Sequence, residues 1–388
     1  MSGGGTDRGT CWIEIDLAAL RSNFHSVQRH LVNKPLILAV VKANAYGHGA
    51  VPVSRTLLEE GAAVLGVATV DEARELREGG IEGRILILGR MIEADIPAAL
   101  RWHTEITLQH PEMARWISEK AVSKGVTAPV HLKVDTGMTR LGFYWETAYD
   151  EIMKVLQLPG LDLRCVFTHF ANADLGDRDF TQKQIQRFED LHHKLRQSGI
   201  ETCHHISNSA AILTGQTPAG WGARPGIMLY GSSPSANISS EELVPILSWK
   251  CRILQVKEVP EGTGISYGHD FVTTRPSRIA TISVGYADGY LRCLTNRGQV
   301  LIGGNRAPVV GRVTMDMTMV DVTDLPEVKT GDEVVLIGRQ VDDSITADEV
   351  AAWADTINYE IFCALSHRVP RYYRDSAGSP ESKVQGPE

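Results

Sequence analysis

The chain has 388 residues, of which 43% are hydrophobic and 22% are charged. This is the composition of an ordinary soluble globular protein, and the length is sufficient for one large domain and a second one. The net charge of -8 and the pI of about 5.9 argue against nucleic acid or an anionic membrane surface as a partner.

Two further features concern the compartment of the protein. Residues 1–10 are polar and glycine-rich, without the apolar core of a signal peptide, and no apolar run is long enough to span a bilayer. The six cysteines lie far apart and have no metal-type spacing. We therefore expect a cytoplasmic protein with reduced thiols and no bound metal.

Short apolar segments, typical of strands that are buried on both faces, recur along the first 240 residues. Amphipathic segments separate them, and one of these begins with the capping-box spacing of Thr69 and Glu72. Eight such strands alternating with helices predict an α/β fold, a (β/α)8 barrel of the TIM type. A doubly wound open sheet is the alternative, although no glycine-rich dinucleotide fingerprint follows the first strand. The predicted strands are 36–41, 63–67, 84–88, 105–108, 129–134, 162–167, 203–206 and, more weakly, 221–225.

The remainder of the chain has a different pattern. Residues 245–338 are rich in Val, Ile and Thr and are interrupted by glycine-containing turns, which predicts a mainly β domain. One helix is expected near residues 347–357, where Thr346 and Glu349 form a second capping box. The predicted domains are a barrel at 13–240 and a C-terminal β domain at 241–373, with disordered tails at 1–10 and 374–388.

The first predicted strand ends at Lys42, within the stretch Pro35–Gly49. In an α/β barrel the carboxyl end of a strand faces the catalytic side. Partial burial lowers the pKa of an amine and favours Schiff-base chemistry. Considered alone, Lys42 could equally be a lysine that extends from a strand end into solvent.

Residues 40–49, Val-Val-Lys-Ala-Asn-Ala-Tyr-Gly-His-Gly, resemble the pyridoxal-phosphate signature of the alanine racemases, a barrel-type (fold type III) family of pyridoxal-phosphate enzymes. Further matching stretches extend the resemblance over about residues 12–370. The resemblance implies a pyridoxal 5'-phosphate-dependent isomerase that interconverts L-alanine and D-alanine, with alanine as its small-molecule substrate.

The resemblance also implies a set of cofactor-binding residues. Ser209 can offer a hydroxyl group, and Gly226 a backbone N–H group, to a phosphate near the last two strands. Taken alone, His169 could be a satisfied buried histidine and Tyr359 an ordinary half-buried tyrosine. The implied cofactor-binding residues are Lys42, Tyr46, His169, Asn208, Ser209, Arg224, Gly226, Ile227 and Tyr359.

Within Gly222–Ile227, the resemblance implies that Arg224 lies beside the ring nitrogen of the cofactor. A guanidinium group keeps its proton, so the ring nitrogen would remain a hydrogen-bond acceptor. Negative charge at the substrate would then be less stabilised, which should limit transamination. His169 is expected to belong to the same hydrogen-bond network.

Racemisation requires an acid–base group on each face of the substrate Cα. The resemblance implies that Lys42 serves one face and Tyr267, in Gly264–His269, serves the other. Phenols ordinarily ionise near pH 10, so a tyrosine acting as a base needs neighbouring cations such as Arg224 or Arg140. A turn tyrosine packed between glycines is the alternative interpretation of Tyr267.

In the family that the chain resembles, two subunits pack head to tail and share their active sites, which implies a homodimer. Tyr267 would then enter the site of the partner subunit. The resemblance of Gly311–Asp316 implies that the backbone N–H of Met315 meets the substrate carboxylate, with assistance from Arg140. The residues implied to line the entrance are Tyr286, Arg292 and Asp316.

Lys133 matches a family lysine that is often carbamylated, which would convert a cation beside Arg140 into an anion. A structural surface lysine is the alternative. Thr139 and Thr314 stand where glycine and cysteine are frequent in the family, which leaves the breadth of substrates open.

Three other functions compete with alanine racemisation. A racemase of another small amino acid, such as serine, would share the machinery. A barrel-type amino-acid decarboxylase would normally have a carboxylate at the ring nitrogen, so Arg224 argues against it. A non-enzymatic pyridoxal-phosphate carrier is usually a lone barrel, so the second predicted domain argues against that function.

Overall fold

The computed structural model describes residues 8–175, 178–239, 241–375 and 382–384. These residues form two compact units. The barrel unit contains Leu20–Ala45 and Ala50–Val244, and the β unit contains the described residues up to Ala19, Tyr46–Gly49 and the described residues from Pro245 onward. The tails predicted to be disordered lie mostly outside the described residues, and the predicted domain boundaries stay predictions.

Strands are numbered along the chain, and the first, β1 (Cys11–Asp16), belongs to the β unit. The strands of the barrel unit are β2 (Leu38–Val40), β3 (Val64–Val67), β4 (Ile85–Ile87), β5 (Glu105–Leu108), β6 (Ala128–Asp135), β7 (Phe143–Tyr144, a short strand beside β6), β8 (Leu161–Phe167), β9 (Cys203–Ser207) and β10 (Gly222–Ala223). All except β7 form a row of eight parallel strands in the order β10-β9-β8-β6-β5-β4-β3-β2, and a bridge between Ile37 and Ala223 connects the two ends of this sheet. The predicted α/β barrel is therefore confirmed.

Helices connect the barrel strands, and their starts follow the capping rules that the sequence indicated. Asp16 Oδ1 accepts a hydrogen bond from the backbone N–H of Ala19 at 2.9 Å, and Thr69 and Glu72 form the predicted capping box. The helices outside the C-terminal region are Leu17–His30, Ala50–Glu59, Val70–Glu78, Ile96–Arg101, Pro111–Lys124, Ala148–Val155, Arg178–Gln197 and Ser209–Leu213.

The backbone directly after Lys42 has an unusual conformation. Ala43, Asn44, Ala45 and Tyr46 all have positive φ angles, between 50° and 54°, so this segment is a left-handed turn. Each L-residue in that region costs roughly 1–2 kcal/mol. Three hydrogen bonds compensate for part of this cost: Ala45 N to Val41 O at 2.8 Å, Ala43 N to Glu72 Oε1 at 2.8 Å, and Ala50 N to Asn44 Oδ1 at 2.7 Å.

Two cysteines that are far apart in sequence lie side by side in the barrel sheet. Cys165 on β8 and Cys203 on β9 are register partners, with 4.6 Å between their Cα atoms, and their sulfur atoms are in contact. The expectation of reduced thiols stays a prediction. The other cysteines are Cys11, Cys251, Cys293 and Cys363.

The β unit is built around β11 (Leu247–Val259), a strand of 13 residues that pairs antiparallel with β1, β14 (Ser277–Ile282) and β18 (Glu333–Gln340). Buried Trp12, Trp249 and Tyr290 lie in the core of this unit. Its other strands are β12 (Gly264–Ile265), β13 (Phe271–Val272), β15 (Gln299–Ile302), β16 (Asn305–Pro308), β17 (Thr318–Asp321), β19 (Asp343–Ile345), β20 (Arg371–Arg374) and β21 (Ser382–Val384).

Two helices lie in the C-terminal part of the β unit, Ala347–Ala354 and Asn358–Ala364. The first begins at the predicted capping box of Thr346 and Glu349. The second lies beyond the predicted helix at residues 347–357 and was not predicted from the sequence. Within the described parts of the chain, no helix has the length and apolar character needed to cross a membrane.

Candidate active site

Arg224 lies directly after β10 and is 5% exposed. Its Nη1 donates to Nδ1 of His205 at 2.9 Å, and its Nη2 donates to Nδ1 of His169 at 2.9 Å and to the carbonyl oxygen of Thr168 at 2.6 Å. Both terminal nitrogens also contact carbonyl oxygens of β9. Among the described residues none accepts a hydrogen bond from its Nε–H. This donor can therefore serve a ligand.

The contacts of Arg224 continue through the interior of the barrel unit. His205 Nε2 lies 2.8 Å from His131 Nδ1, and His131 Nε2 lies 2.7 Å from Glu105 Oε2. Glu105 in turn accepts two hydrogen bonds from Arg84, at 2.5 and 3.1 Å. Glu105, His131 and His205 are all buried. We refer to Arg224, His205, His131 and Glu105 as the polar chain.

Burial determines the charges in this region. Burial, and then the charge of Arg140, lower the pKa of Arg224 to about 9, so the guanidinium group stays protonated at neutral pH. Burial, and then Arg224, lower the pKa values of His169 and His205 well below the ordinary value. Lys42 contributes to the lowering for His169, so its charge acts within the same region. Both imidazoles are therefore neutral at pH 7.

Lys133 on β6 is 5% exposed, and its Nζ lies 4.9 Å from the centroid of the Phe167 ring. Burial, and then Arg224 and Arg140, lower its pKa from 10.5 to about 7. The loop that follows Arg140 packs against it, because a Cβ added at Gly142 would lie 2.8 Å from Lys133 Cγ. The structure thus brings Lys133 and Arg140 into one electrostatic environment, as the sequence predicted.

The predicted phosphate-binding residues also lie together in the barrel unit. Ser209 Oγ accepts a hydrogen bond from the backbone N–H of Gly226 at 3.0 Å and lies 3.5 Å from the backbone nitrogen of Met228. Asn208 caps the short helix Ser209–Leu213 by accepting from Ala211 N at 3.0 Å. Ser209, Gly226 and Ile227 are buried. Hydroxyl and backbone N–H donors of this kind suit a phosphate group.

Two of the predicted cofactor residues lie in the β unit. Tyr46 is buried, and its ring centroid lies 6.0 Å from that of Tyr359. Burial, followed by the neighbouring Tyr359 and Cys363, raises the pKa of Tyr46, which keeps its phenol protonated and able to donate.

Three predicted motifs come together in the β unit. Tyr286 N donates to Thr314 O and Ala287 N donates to Met315 O, each at 3.0 Å, so the Ser283–Gly289 and Gly311–Asp316 segments pack backbone to backbone. Arg312 forms an ion pair with Asp270, directly after the turn Tyr267–His269. This motif cluster consists of residues 264–270, 283–289 and 311–316.

The side chains of the motif cluster are largely exposed. Tyr267 is 73% exposed, Met315 is 52% exposed and Tyr286 is 43% exposed. Arg292 is also exposed, and Asp316 forms an ion pair with Arg368 at 2.7 Å. The cluster therefore presents apolar and aromatic side chains at its surface.

Three residues of the polar chain were not identified from the sequence. Glu105, His131 and His205 lie within predicted strands, where apolar residues at alternate positions dominated the pattern. The signal that could have identified them is a carboxylate or imidazole side chain inside an otherwise apolar strand. Such groups are buried only when they have polar partners, so each one indicates a buried hydrogen-bond network.

Comparisons with known proteins cover almost the whole chain. The family described as "Alanine racemase, N-terminal domain" matches residues 15–234, and "Alanine racemase, C-terminal domain" matches residues 246–373. An alanine racemase of Halothermothrix orenii is 46% identical over 95% of this chain and 97% of its own length. An alanine racemase of Methanococcus maripaludis is 43% identical over 93% of this chain and 98% of its own length.

Solved structures agree with these relatives. An alanine racemase of Clostridium difficile 630 has a TM-score of 0.90 and 39% identity, covering 95% of this chain and 96% of the other. An alanine racemase of Bacillus anthracis with bound L-Ala-P has a TM-score of 0.89 and 37% identity, covering 99% of each chain.

The environment of Lys133 predicts a specific pH dependence of stability. Between pH 7 and 10.5 the unfolded chain keeps a proton on this amine that the folded protein has released, so this amine makes the folded state more stable as pH rises. The change Lys133→Met should therefore raise the free energy of unfolding at pH 7 and flatten its rise toward pH 10, measured by urea denaturation in carbon dioxide-free buffer.

Lys250→Met is the matched control, because Lys250 is paired with Glu14 and Glu333 at 3.3 and 3.4 Å. This variant should lose stability at pH 7. An unchanged pH slope in Lys133→Met would contradict the prediction.

Proposed function

Because the chain belongs to the alanine racemase family and interconverts L-alanine and D-alanine, we propose that pyridoxal 5'-phosphate is its cofactor and that Lys42 and Tyr267 are its two acid–base groups. The observation that carries the proposal is the environment of Arg224. Its buried guanidinium group is held by two neutral histidines and keeps one donor available for an acceptor nitrogen.

The donor set of the barrel unit fits this cofactor. The Nε–H of Arg224 suits a pyridine nitrogen that accepts a hydrogen bond. Ser209 offers its hydroxyl group and Ile227 its backbone N–H to a phosphate, and the N–H of Gly226 holds the Ser209 hydroxyl in place beside it. Asn208 fixes the helix that carries Ser209, and His169 orients Arg224. The family resemblance is what assigns phenolic donors to Tyr46 and Tyr359 of the β unit. When bound, pyridoxal phosphate supplies an electron sink for negative charge at the substrate Cα, and Lys42 would hold it covalently.

The two acid–base groups then divide the proton transfer between the faces of Cα. The amine of Lys42 takes or returns a proton at Nζ on one face, and the phenol of Tyr267 does so at its oxygen on the other. The backbone N–H of Met315 and the guanidinium group of Arg140 bind the substrate carboxylate. Tyr286, Arg292 and Asp316 line the entrance to the site.

We also propose a homodimer with shared active sites. The exposed aromatic and apolar side chains of the motif cluster, Tyr267, Tyr286 and Met315, are unusual at a protein surface unless a partner covers them. A second copy of this chain is the partner that would place Tyr267 beside the Lys42 of another subunit.

Lys133 is proposed to carry a carbamate. The neutral amine is the form that reacts with carbon dioxide, and a pKa of about 7 makes that form abundant at neutral pH. The product is an anion that would orient Arg140. On the adjacent strand, Thr107 Oγ1 is buried without a hydrogen-bond partner among the described residues, and its hydroxyl group can donate to a carbamate oxygen.

The competing functions are less well supported. The relatives from Halothermothrix orenii and Methanococcus maripaludis, which match more than nine tenths of the chain, are alanine racemases, which disfavours both a racemase of another amino acid and a carrier protein. A decarboxylase is disfavoured because the buried group with an available donor directly after β10 is the guanidinium group of Arg224 and not a carboxylate.

Removal of the Tyr267 hydroxyl should separate the two proton transfers. In Tyr267→Phe, racemisation should fall by roughly 10²- to 10⁴-fold, the usual contribution of an acid–base group. In deuterated water, Lys42 should still exchange the Cα hydrogen of one enantiomer, measured by NMR and chiral chromatography. Tyr144→Phe, at another exposed tyrosine, is the control and should keep its activity. Equal exchange from both enantiomers would refute the assignment.

Hybrid dimers test whether the sites are shared. Lys42→Ala and Tyr267→Phe chains, each with its own affinity tag, are co-expressed and the hybrid is isolated by tandem purification. One of its two sites then contains both intact residues, so about half of the wild-type activity should return, whereas each parent homodimer is inactive. If both residues act within one chain, the hybrid is inactive and the proposed sharing is wrong.

Carbamylation predicts a carbon dioxide requirement. Protein incubated with ¹³C-labelled bicarbonate should show a carbamate carbon by NMR, and depletion of carbon dioxide should lower racemase activity reversibly. The signal should be absent in Lys133→Ala and present in Lys250→Ala, because the amine of Lys250 is engaged in ion pairs with Glu14 and Glu333. A labelled signal that persists in Lys133→Ala would assign the carbamate to another amine.

A further inference from the structure

The polar chain connects the candidate site to the outer rim of the barrel unit. It runs from Arg224 to His205 at 2.9 Å, to His131 at 2.8 Å and to Glu105 at 2.7 Å. Its four residues come from four strand segments, and each is less than 10% exposed. Arg84, which pairs with Glu105, is 43% exposed and marks the solvent end.

The two ends of the polar chain fix the direction of every hydrogen bond within it. A guanidinium group can only donate, so His205 must accept at Nδ1 and carry its proton on Nε2. That proton is donated to His131 Nδ1, so His131 also carries its proton on Nε2 and donates it to Glu105. An ionised carboxylate can only accept hydrogen bonds, so Glu105 is the acceptor that the N–H of His131 requires at this end of the polar chain.

We propose that Glu105 is a positioning residue for the racemase, which acts through His131 and His205 to hold Arg224 in the orientation that presents its Nε–H to the cofactor. Any other protonation of the two imidazoles places two donors or two acceptors against each other in a buried site. This inference rests on the proposed role of Arg224. It adds the carboxylate of Glu105, which is separated from Arg224 by the imidazole rings of His205 and His131.

The direct surroundings support a role beyond simple packing. Glu105 keeps its charge, because the hydrogen bonds from His131 and Arg84 outweigh the effect of burial and lower its pKa. Burial, opposed by Glu105, lowers the pKa of His131, so this imidazole stays neutral. The ring of Phe167 stacks on His205 at 4.6 Å and restricts its orientation, which leaves protonation as the variable that Glu105 controls.

The substitution Glu105→Gln tests the inference. The carboxylate accepts from Arg84 Nε at Oε1 and from His131 Nε2 at Oε2, whereas an amide has one acceptor oxygen, so one of these donors must face an NH₂ group. We expect kcat to fall on the order of 10- to 100-fold, by analogy with other residues that orient an imidazole, and KM for alanine to change little.

A second variant separates positioning from loss of an ion pair. In Arg84→Met/Glu105→Gln the competing donor is gone, so the amide oxygen can face His131 and part of the lost kcat should return. In Arg84→Met alone kcat should stay within about twofold of wild type, because the hydrogen bond between His131 and Glu105 remains, although the protein should lose stability because a buried carboxylate loses a partner. Glu14→Gln is the matched control, since Glu14 is a buried carboxylate in the β unit that accepts from Trp12 and pairs with Lys250.

A direct measurement does not depend on activity. Solid-state NMR of the ¹⁵N-histidine-labelled holoenzyme should show His131 and His205 protonated on Nε2 in the wild type, and a mixture of tautomers in Glu105→Gln. An unchanged His205 tautomer in Glu105→Gln would overturn the inference, as would a kcat that is unchanged or is not raised by the added Arg84→Met. Absence of racemase activity in the wild type would instead contradict the proposed function, whatever the tautomers.

Discussion

The burial of one positive charge determines much of this structure. Arg224 is almost completely removed from water, and an isolated ion in such a place would be very unfavourable. Its hydration is replaced by hydrogen bonds to the carbonyl oxygens of Thr168, His205 and Ile206 and to the unprotonated nitrogens of two histidines. The barrel strands must hold these acceptors in fixed positions, so the geometry of the sheet and the charge at its end depend on each other.

The same charge influences the ionisable groups around it. It lowers the pKa values of His169, His205 and Lys133, in each case together with burial. The result is a permanent cation in contact with two neutral imidazoles, which is the reverse of a site that would protonate a bound heterocycle. The chemistry that we propose follows from this distribution: a cofactor that stays neutral at its ring nitrogen, and proton transfer that is left to a lysine and a tyrosine.

The sequence predicted those parts of the fold that depend on local pattern. Strand positions, the capping boxes at Thr69 and Thr346 and the β-rich C-terminal region follow from hydrophobic periodicity and from short-range hydrogen bonding. Features that depend on contacts between distant segments were not predicted. The pairing of Cys165 with Cys203, the polar chain and the ion pair of Arg312 with Asp270 arise only when strands or loops far apart in sequence become neighbours. The candidate site residues came from a family resemblance, because no spacing rule connects positions as distant as Lys42, Arg224 and Tyr267.

The left-handed turn after Lys42 has a consequence for protein engineering. Glycine is the residue that tolerates positive φ without steric cost, so replacing Ala43 or Ala45 by glycine relieves conformational strain, at the expense of a more disordered unfolded chain. Selection for heat resistance alone can therefore favour glycine at these positions. The same replacement would make the main chain more flexible next to Lys42, the proposed acid–base group, so such a selection could raise stability and lower activity together.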